Sequence, residues 1–165
     1  MKNKDLVVGV GVYDFGRTKK LTINPSWSSE DMHDAIDELF GYHLVEPVVF
    51  YCDSHNLDVE KISWSEIILL AEYMEDNEDF DDYIFQLVLD ECSDDVEQAI
   101  SAFNNGEIVQ FEDKNAALYA YCPEAEEVEG MGFLYIDWNQ IERDMKVEWC
   151  VLDEAHLGSY WVYCH

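Results

Sequence analysis

The hydrophobic residues of the first fifty positions fall in short β-branched runs. LVVGVGVYDF and KKLTINP predict two strands around a turn at Phe15 to Arg17, and Pro25 ends the second strand. EPVVFYC, residues 46–52, is apolar and β-branched enough to predict a third strand.

A helix is predicted between the second and third strands. Ser28 and Ser29 offer N-caps, and Gly41 supplies the stop. One helical face carries Met32, Ile36 and Leu39. Residues 1–59 are therefore expected to form a small α/β unit.

From Ser63 the hydrophobic period becomes helical. Ser63 and Glu66 have capping-box spacing, ahead of a face formed by Ile67, Leu70, Ala71 and Met74. A second helix is expected to turn Phe80, Ile84, Leu87 and Val88 inward. A third, begun by Ser93 and ended by Asn104, Asn105 and Gly106, is expected to turn Val96, Ile100 and Phe103 inward. Residues 60–105 thus predict a helical unit.

The last third mixes both periods. GEIVQF predicts a strand, DKNAALYAY a short helix begun by Asp113, PEAEEVEG an acidic loop, and YIDWNQIERDM a helix capped by Asp137. KVEWCVL and SYWVYC predict a hairpin across DEAHLG. Residues 106–165 are expected to form an α+β unit, which makes the whole chain an α+β protein of three small units.

The charge is the anomaly of this chain. Of its 165 residues, 37 are acidic and 9 are Lys or Arg, which leaves a net charge of −28. Because 48% of residues are hydrophobic, the chain is expected to fold, and self-repulsion favours an elongated arrangement of the units. The five cysteines form no CxxC pair and are interpreted as core thiols of a protein in a reducing, cytosolic compartment. No stretch predicts a membrane span or a convincing signal peptide.

The charge is concentrated in the middle of the chain. Residues 60–105 carry −13, and residues 62–113 contain sixteen acids without one Lys, Arg or His. MEDNEDFDDY, residues 74–83, places six carboxylates in eight positions. On a continuous helix Glu72 and Asp76, Glu75 and Asp79, and Glu78 and Asp82 would form like-charge pairs, each of which costs about 0.2 to 0.5 kcal/mol.

Three functional interpretations compete with a merely solvated acidic face. An EF-hand loop starting at Asp76 fails, because Phe80 and Asp81 stand where a ligand and a glycine are required. A two-carboxylate hydrolase is possible in principle, but 37 acids single out no pair. The five histidines lack metal-ligand spacing, and GxGxxG, GxSxG, HExxH and GK[ST] motifs are absent. We therefore expect a protein that is not an enzyme, with no cofactor and no metal site.

Mimicry of nucleic acid is the third interpretation. A net charge of −28 equals the phosphates of about 14 base pairs, or about 48 Å of duplex. Carboxylates on helices could then occupy a cationic groove, whereas the same sign of charge argues against direct binding of nucleic acid. The expected mimic surface comprises Glu66, Glu72, Glu75, Asp76, Glu78, Asp79, Asp81, Asp82, Asp90, Glu91, Asp94, Asp95 and Glu97, extended by Glu124, Glu126, Glu127 and Glu129.

Several segments resemble the ArdA antirestriction family. NAALYAYC, YIDWNQIERDM and GSYWVY carry the resemblance, and the most specific match consists of Tyr135, Ile136, Asp137, Trp138, Arg143, Asp144 and Met145. The N-terminal hairpin and the VVFYCDSHNLDV segment are similar more weakly. Lys19, Lys20 and Leu21 stand where the family usually has Gly-x-Trp, so the N-terminal unit is expected to contact a partner differently or not at all.

The resemblance implies an elongated homodimer that mimics bent duplex DNA. Such a protein occupies the DNA groove in the methyltransferase core of type I restriction-modification enzymes and blocks them without catalysis. Core or subunit contacts are then expected of Tyr135, Ile136, Trp138 and Ile141. Arg143 is expected to form an ion pair with a neighbouring carboxylate such as Asp137 or Glu142. Two alternatives stay open: a mimic directed at another defence complex, such as a CRISPR nuclease, or at a nucleoid protein, and an acidic adaptor or cation-binding protein.

Overall fold

The computed structural model describes residues 5–12, 17–42, 47–54, 56–59, 62–132 and 135–164, with only the backbone described at positions 12, 17, 53, 54 and 126. The chain folds into two compact units. The N-terminal unit comprises Met1–Leu89 and Ser93–Ile100, and the C-terminal unit comprises Asp90–Cys92 and Ser101–His165. Both combine helices with an antiparallel sheet, which confirms the α+β class. The finer expectation of three elongated units stays a prediction.

The sheet of the N-terminal unit has four strands in the order β2-β1-β3-β4, and all neighbours are antiparallel. These are β1 (Leu6–Val12), β2 (Arg17–Ile23), β3 (Val48–Ser54) and β4 (Leu57–Val59). The predicted first hairpin is confirmed, although part of its turn lies outside the described residues. The third strand begins and ends two residues later than predicted, and β4 was not predicted.

Helix α1 (Ser29–Phe40) follows the local signals closely. Ser28 is the N-cap, and its hydroxyl and the Asp31 carboxylate form a complete capping box. Met32 and Ile36 are buried as predicted. Gly41 ends the helix with φ 77°, a left-handed conformation that glycine adopts without strain.

The central helices are α2 (Trp64–Asp76), α3 (Asp82–Glu91) and α4 (Val96–Asn104). The predicted capping box of Ser63 and Glu66 is present, and all four predicted core residues of α2 are buried. In α3 the sequence pattern missed Phe85, which is fully buried, while Leu87 is only half-buried. The predicted start of α4 at Ser93 was wrong: Asp95, next to the first helical residue, accepts a hydrogen bond from the backbone N–H of Gln98 at 2.8 Å.

The C-terminal unit contains β5 (Ile108–Phe111), α5 (Lys114–Tyr121), α6 (Glu124–Glu129), α7 (Trp138–Glu148), β6 (Trp149–Asp153) and β7 (Tyr160–Cys164). Its antiparallel sheet has the order β5-β7-β6, which confirms the final hairpin. Asp113 and Asp137 are the N-caps of α5 and α7, as predicted. The acidic segment predicted as a loop instead forms α6.

The core of the C-terminal unit is built from both helices and sheet. Its buried residues are Ala117, Leu118, Met145, Tyr160 and Val162, and aromatic side chains such as Trp138 and Trp149 pack against them. Among the described residues, no helix is long and apolar enough to cross a membrane.

Candidate functional site

The acidic residues of the central region divide into two groups according to their position on the helices. Four of those at helix N-termini make hydrogen bonds that serve the fold. Glu66 accepts the backbone N–H of Ser63 at 2.7 Å, and Asp95 accepts that of Gln98. Negative charge at an N-terminus also favours the helix dipole. These carboxylates therefore stabilise the helices they begin.

The segment before α3 places two more acids in this supporting role. Asp81 accepts hydrogen bonds from the backbone N–H groups of Tyr83 and Ile84, both at 3.1 Å. Asp82 accepts one from the side-chain amide of Asn56 at 3.1 Å, which ties α3 to the start of β4. Both aspartates are half-buried. They were expected on the mimic surface, and their contacts show that they also hold the fold together.

A second group of acids lies at helix C-termini, where the dipole disfavours them. Glu75 and Asp76 occupy the last turn of α2, Asp90 and Glu91 that of α3, and neither turn contains a basic residue. All four are exposed. An anion at this end costs a helix about 0.3 to 1 kcal/mol, so the placement of these acids lowers the stability of the fold.

The exposed residues in the C-terminal half of α2 are all acidic. Glu72, Glu75 and Asp76 are spaced three and four residues apart and are exposed, whereas Ile67 and Leu70 face the core. At this spacing their Cβ atoms lie about 5 to 6 Å apart. Helix α2 therefore presents three carboxylates side by side to solvent.

The predicted like-charge pairs extend only to the end of α2. Glu72 and Asp76 form an i, i+4 pair, but the helix stops at Asn77, so the pairs of Glu75 with Asp79 and of Glu78 with Asp82 were wrong as helical pairs. The Asn77 amide donates to the carbonyl of Tyr73 at 2.8 Å and contributes to this stop.

An aromatic cluster holds the segment that follows. The Phe80 ring lies 5.9 Å from that of Tyr73 and 5.3 Å from that of Phe85, centroid to centroid. Its anchoring leaves Glu78 and Asp79 at the surface, where both are exposed. The segment between α2 and α3 is thus an ordered, acidic turn rather than a continuation of the helix.

Six acids of the N-terminal unit form what we call the open carboxylates. They are exposed, and none of them contacts a Lys, Arg or His side chain within the described part of the chain. The open carboxylates are Glu72, Glu75, Asp76, Asp79, Asp94 and Glu97.

The acids of α6 belong to the C-terminal unit. Glu124 and Glu127 are exposed, and the Glu126 side chain lies outside the described residues. Glu129 is also exposed but accepts a hydrogen bond of 2.5 Å from the Tyr119 hydroxyl. Among these predicted surface acids, Glu129 is therefore hydrogen-bonded within the C-terminal unit.

Ion pairs of the described residues gather on α5 and α7. Lys114 lies 2.5 Å from Glu142, Lys146 lies 2.9 Å from the other oxygen of Glu142, and Lys146 also lies 3.2 Å from Glu154. Hydrogen bonds from Lys114 and Lys146 lower the pKa of Glu142. The hydrogen bond to Glu142, followed by that to Glu154, raises the pKa of Lys146.

The segment YIDWNQIERDM has mainly structural contacts. Asp137 caps α7, Met145 is fully buried, and Trp138 packs against the core, whereas Tyr135 is 89% exposed. Ile136 and Ile141 are half-buried, and Asp144 accepts a hydrogen bond of 2.6 Å from the Gln140 amide.

The expected ion pair of Arg143 was wrong. Its guanidinium instead donates to the Gln140 side chain at 2.8 Å, and no carboxylate pairs with it among the described residues. Glu142, one of the two expected partners, is held by the lysines on either side of it, and Asp137 is occupied as the cap of α7.

The Cys92 thiol is poorly suited to nucleophilic chemistry. Cys52 is buried, as expected of a core thiol, while Cys92, Cys122, Cys150 and Cys164 are half-buried. Burial, assisted by the adjacent Cys150 thiol and the charge of Glu91, raises the pKa of Cys92 to about 12. The Cys92 thiol therefore stays protonated at neutral pH, and the thiolate is the reactive form.

The structure also brings together residues that the sequence did not assign to a common site. Lys114, Tyr119, Trp138 and Glu142 line one cavity of the C-terminal unit, although they come from helices far apart in the chain. Within the described residues, no group of three His, Cys, Asp or Glu side chains is arranged to hold a metal ion. No protein-family model, curated protein or solved structure matches the chain.

Proposed function

We propose that this protein is a mimic of duplex DNA that occupies the DNA-binding groove of type I restriction-modification enzymes. It would block restriction and modification by occupancy alone, without catalysis and without a cofactor. The resemblance of YIDWNQIERDM and the flanking segments to the ArdA family supports this choice of target. In keeping with that resemblance, the proposal includes a homodimer acting in the cytosol of a bacterial host.

The observation that carries the proposal is the position of the open carboxylates. Glu75 and Asp76 stand in the last turn of α2, where they disfavour the helix, and they contact no cation among the described residues. Acids retained where they weaken the fold are better explained by binding than by stability. A groove lined with Lys and Arg would supply the counter-charges that the chain itself lacks.

The binding energy should come from many weak, long-range attractions. The net charge of −28 is spread over many carboxylates, so no single residue is expected to dominate binding. One substitution should change the affinity little, whereas several together should weaken it cumulatively. Affinity is also expected to fall steeply as salt rises, because the lysines and arginines of the groove exchange their bound anions for carboxylates.

A competition assay tests the proposal. A labelled DNA duplex bound to the methyltransferase core of a type I enzyme should be displaced by the protein, and less well at high than at low salt. The variant Glu72→Gln, Glu75→Gln, Asp76→Asn, Asp79→Asn should displace the duplex only at higher concentration. The matched control carries four amides at exposed positions, three in α1 at Glu30, Asp34 and Glu38 and one in β4 at Asp58.

Both variants lose four negative charges, so they separate a local surface from net charge. Equal weakening of the two variants would contradict the assignment of the α2 surface. Displacement that does not change with salt, or no displacement at any concentration, would reject the proposal for this enzyme. Capture of a different defence complex from a host lysate would identify that complex as the target of the mimic instead.

A further inference from the structure

The C-terminal unit contains a cavity that the proposed function does not use. It has a volume of about 400 Å³ and lies between α5, α6 and α7. This is within the range of about 300 to 1,000 Å³ that is usual for small-ligand sites. Its lining consists of Lys114, Asn115, Leu118, Tyr119, Glu129, Trp138, Asn139 and Glu142.

One part of the cavity is apolar and aromatic. Leu118 is only 4% exposed and belongs to the core of the unit. The rings of Tyr119 and Trp138 meet edge to face, with their centroids 5.0 Å apart. Such a surface suits an alkyl chain and a flat or cationic group, since aromatic faces attract cations.

The charges at the cavity sum to a local negative excess. The ammonium of Lys114 is neutralised by Glu142 at 2.5 Å, and Lys146 and Glu154 complete a balanced chain of ion pairs. Glu129 remains. It accepts a hydrogen bond from the Tyr119 hydroxyl and contacts no cation among the described residues.

Helix N-termini at the cavity do not reverse this preference. Lys114 and Asn115 begin α5, and Trp138 and Asn139 begin α7, so the backbone there would favour an anion. However, Asp113 and Asp137 cap these two helices and accept the N–H groups of Ala116 and Gln140. The carboxylate of Glu129, which no lysine neutralises among the described residues, and a chain charge of −28 leave a cation as the favoured ligand.

We propose that this cavity binds an alkylguanidinium group, with its alkyl stem against Leu118 and the aromatic rings and its planar head on the Glu129 carboxylate. A guanidinium fits better than an ammonium because it is flat, weakly hydrated, stacks on aromatic rings and donates two parallel hydrogen bonds to a carboxylate. An arginine side chain of another protein and a free small alkylguanidine share this chemistry. The inference stands independently of DNA mimicry.

The test follows the indole N–H signal of Trp138 by NMR. The chain has five tryptophans, so a Trp138→Phe variant identifies the signal. Ethylguanidinium chloride is the probe, with ethylammonium chloride, sodium chloride and inorganic phosphate compared at equal ionic strength. Ethylguanidinium is expected to shift the Trp138 signal saturably and at lower concentration than the other three.

Glu129→Gln provides the decisive variant, because glutamine can still accept the Tyr119 hydroxyl but removes the charge. It should weaken ethylguanidinium binding at least about tenfold, the effect of losing one charged hydrogen bond. Glu127→Gln, in the same helix and exposed, is the matched control and should bind like the unmodified protein. Equal binding by the two variants, a shift reproduced by sodium chloride, or a preference for phosphate would each overturn the proposal.

A second comparison identifies the source of the group. A short peptide with one central arginine that binds at least about tenfold tighter than free L-arginine amide would assign the site to a protein side chain, since only the peptide adds contacts outside the cavity. Equal affinities would assign it to a free small molecule. Both results support the alkylguanidinium site, whereas the absence of binding by either ligand would overturn it.

Discussion

The ammonium of Lys19, on strand β2, donates a hydrogen bond of 2.6 Å to the carbonyl oxygen of Leu39 in the last turn of α1. It also lies 5.1 Å from the centroid of the Phe40 ring. Helix α1 has no basic residue in its own last turn, so a neighbouring strand supplies the cation that this end of a helix favours. Lys19 therefore serves the fold.

Replacing Lys19 with alanine should therefore destabilise the N-terminal unit. We expect a loss of about 1 kcal/mol in the free energy of unfolding, from the helix-end and cation–π contributions together. Lys20→Ala is the control, since Lys20 is exposed and adjacent in the same strand. Urea titration at constant salt measures both. Similar losses for the two variants would contradict the capping role of Lys19.

Removing the negative charges at the end of α2 should stabilise the fold and weaken binding to a cationic groove. Glu75→Gln with Asp76→Asn is expected to raise the free energy of unfolding by about 0.5 to 1 kcal/mol at low salt, because two charges that oppose the helix dipole are removed. The gain should shrink at high salt, where screening already weakens the repulsion.

Asp95→Ala, which removes the acid beside the start of α4, should act in the opposite direction. Loss of the hydrogen bond to Gln98 is expected to lower the free energy of unfolding by about 1 kcal/mol. Thermal and urea unfolding of the three proteins measure these differences. A loss of stability in the double variant would show that Glu75 and Asp76 support the fold, and would remove the main reason for assigning them to binding.

The hydroxyl of Tyr160 should be dispensable for stability. It is fully buried and has no hydrogen-bond partner among the described residues. Tyr160→Phe is therefore expected to raise the free energy of unfolding by about 1 kcal/mol, since it removes an unsatisfied polar group. Tyr119→Phe is the comparison. Its hydroxyl donates to Glu129, so its removal should lower stability instead. Calorimetry of both variants measures the two signs, and a loss for Tyr160→Phe would indicate an unrecognised partner for the hydroxyl.

The ion pairs of α7 predict a particular dependence of stability on pH. The pKa of Glu142 is lowered from its ordinary 4.5, so its contribution is complete above that value and is lost as pH falls through the lower value of the folded state. The pKa of Lys146 is raised from 10.5, so its contribution is present below that value and is lost as pH rises through the higher one. Glu142→Gln should therefore flatten the stability profile at both the acid and the alkaline end.

Chemical unfolding between pH 2 and pH 12 tests this expectation. Glu127→Gln is the control, because Glu127 is exposed and contacts no cation among the described residues. If the Glu142 and Glu127 variants follow the same profile, the ion pairs of Lys114 and Lys146 contribute nothing measurable, as is common for exposed pairs.

The sequence predicted best those features that depend on a few neighbouring residues. Ser28, Ser63, Asp113 and Asp137 are N-caps as predicted, because a capping side chain reaches a backbone N–H only two or three residues away. The excess of acid in the middle of the chain is likewise a property of the sequence, whatever the fold. Capping residues and hydrophobic periodicity therefore predict most helix starts and the α+β class without knowledge of tertiary contacts.

Features that depend on distant residues were missed or wrong. The end of α2 depends on Phe80 packing against Tyr73 and Phe85, and α6 forms where composition indicated only an acidic loop. Glu142 pairs with Lys114, 28 positions earlier in the sequence, rather than with its neighbour Arg143. These features depend on how the helices and strands pack together, which the spacing of residues along the chain does not reveal.

The sequence by itself determined that this protein carries many unneutralised carboxylates and where most helices begin, because charge and capping are local. Only the tertiary structure decided which of the other carboxylates the fold uses, at Asp81, Asp82 and Asp95, and which stay open, such as Glu75 and Asp76. It also brought Glu129 and Trp138 to one cavity. The physical reason is that the role of a charge depends on where each helix ends and on which elements pack together. Both depend on contacts between residues that are far apart in the sequence.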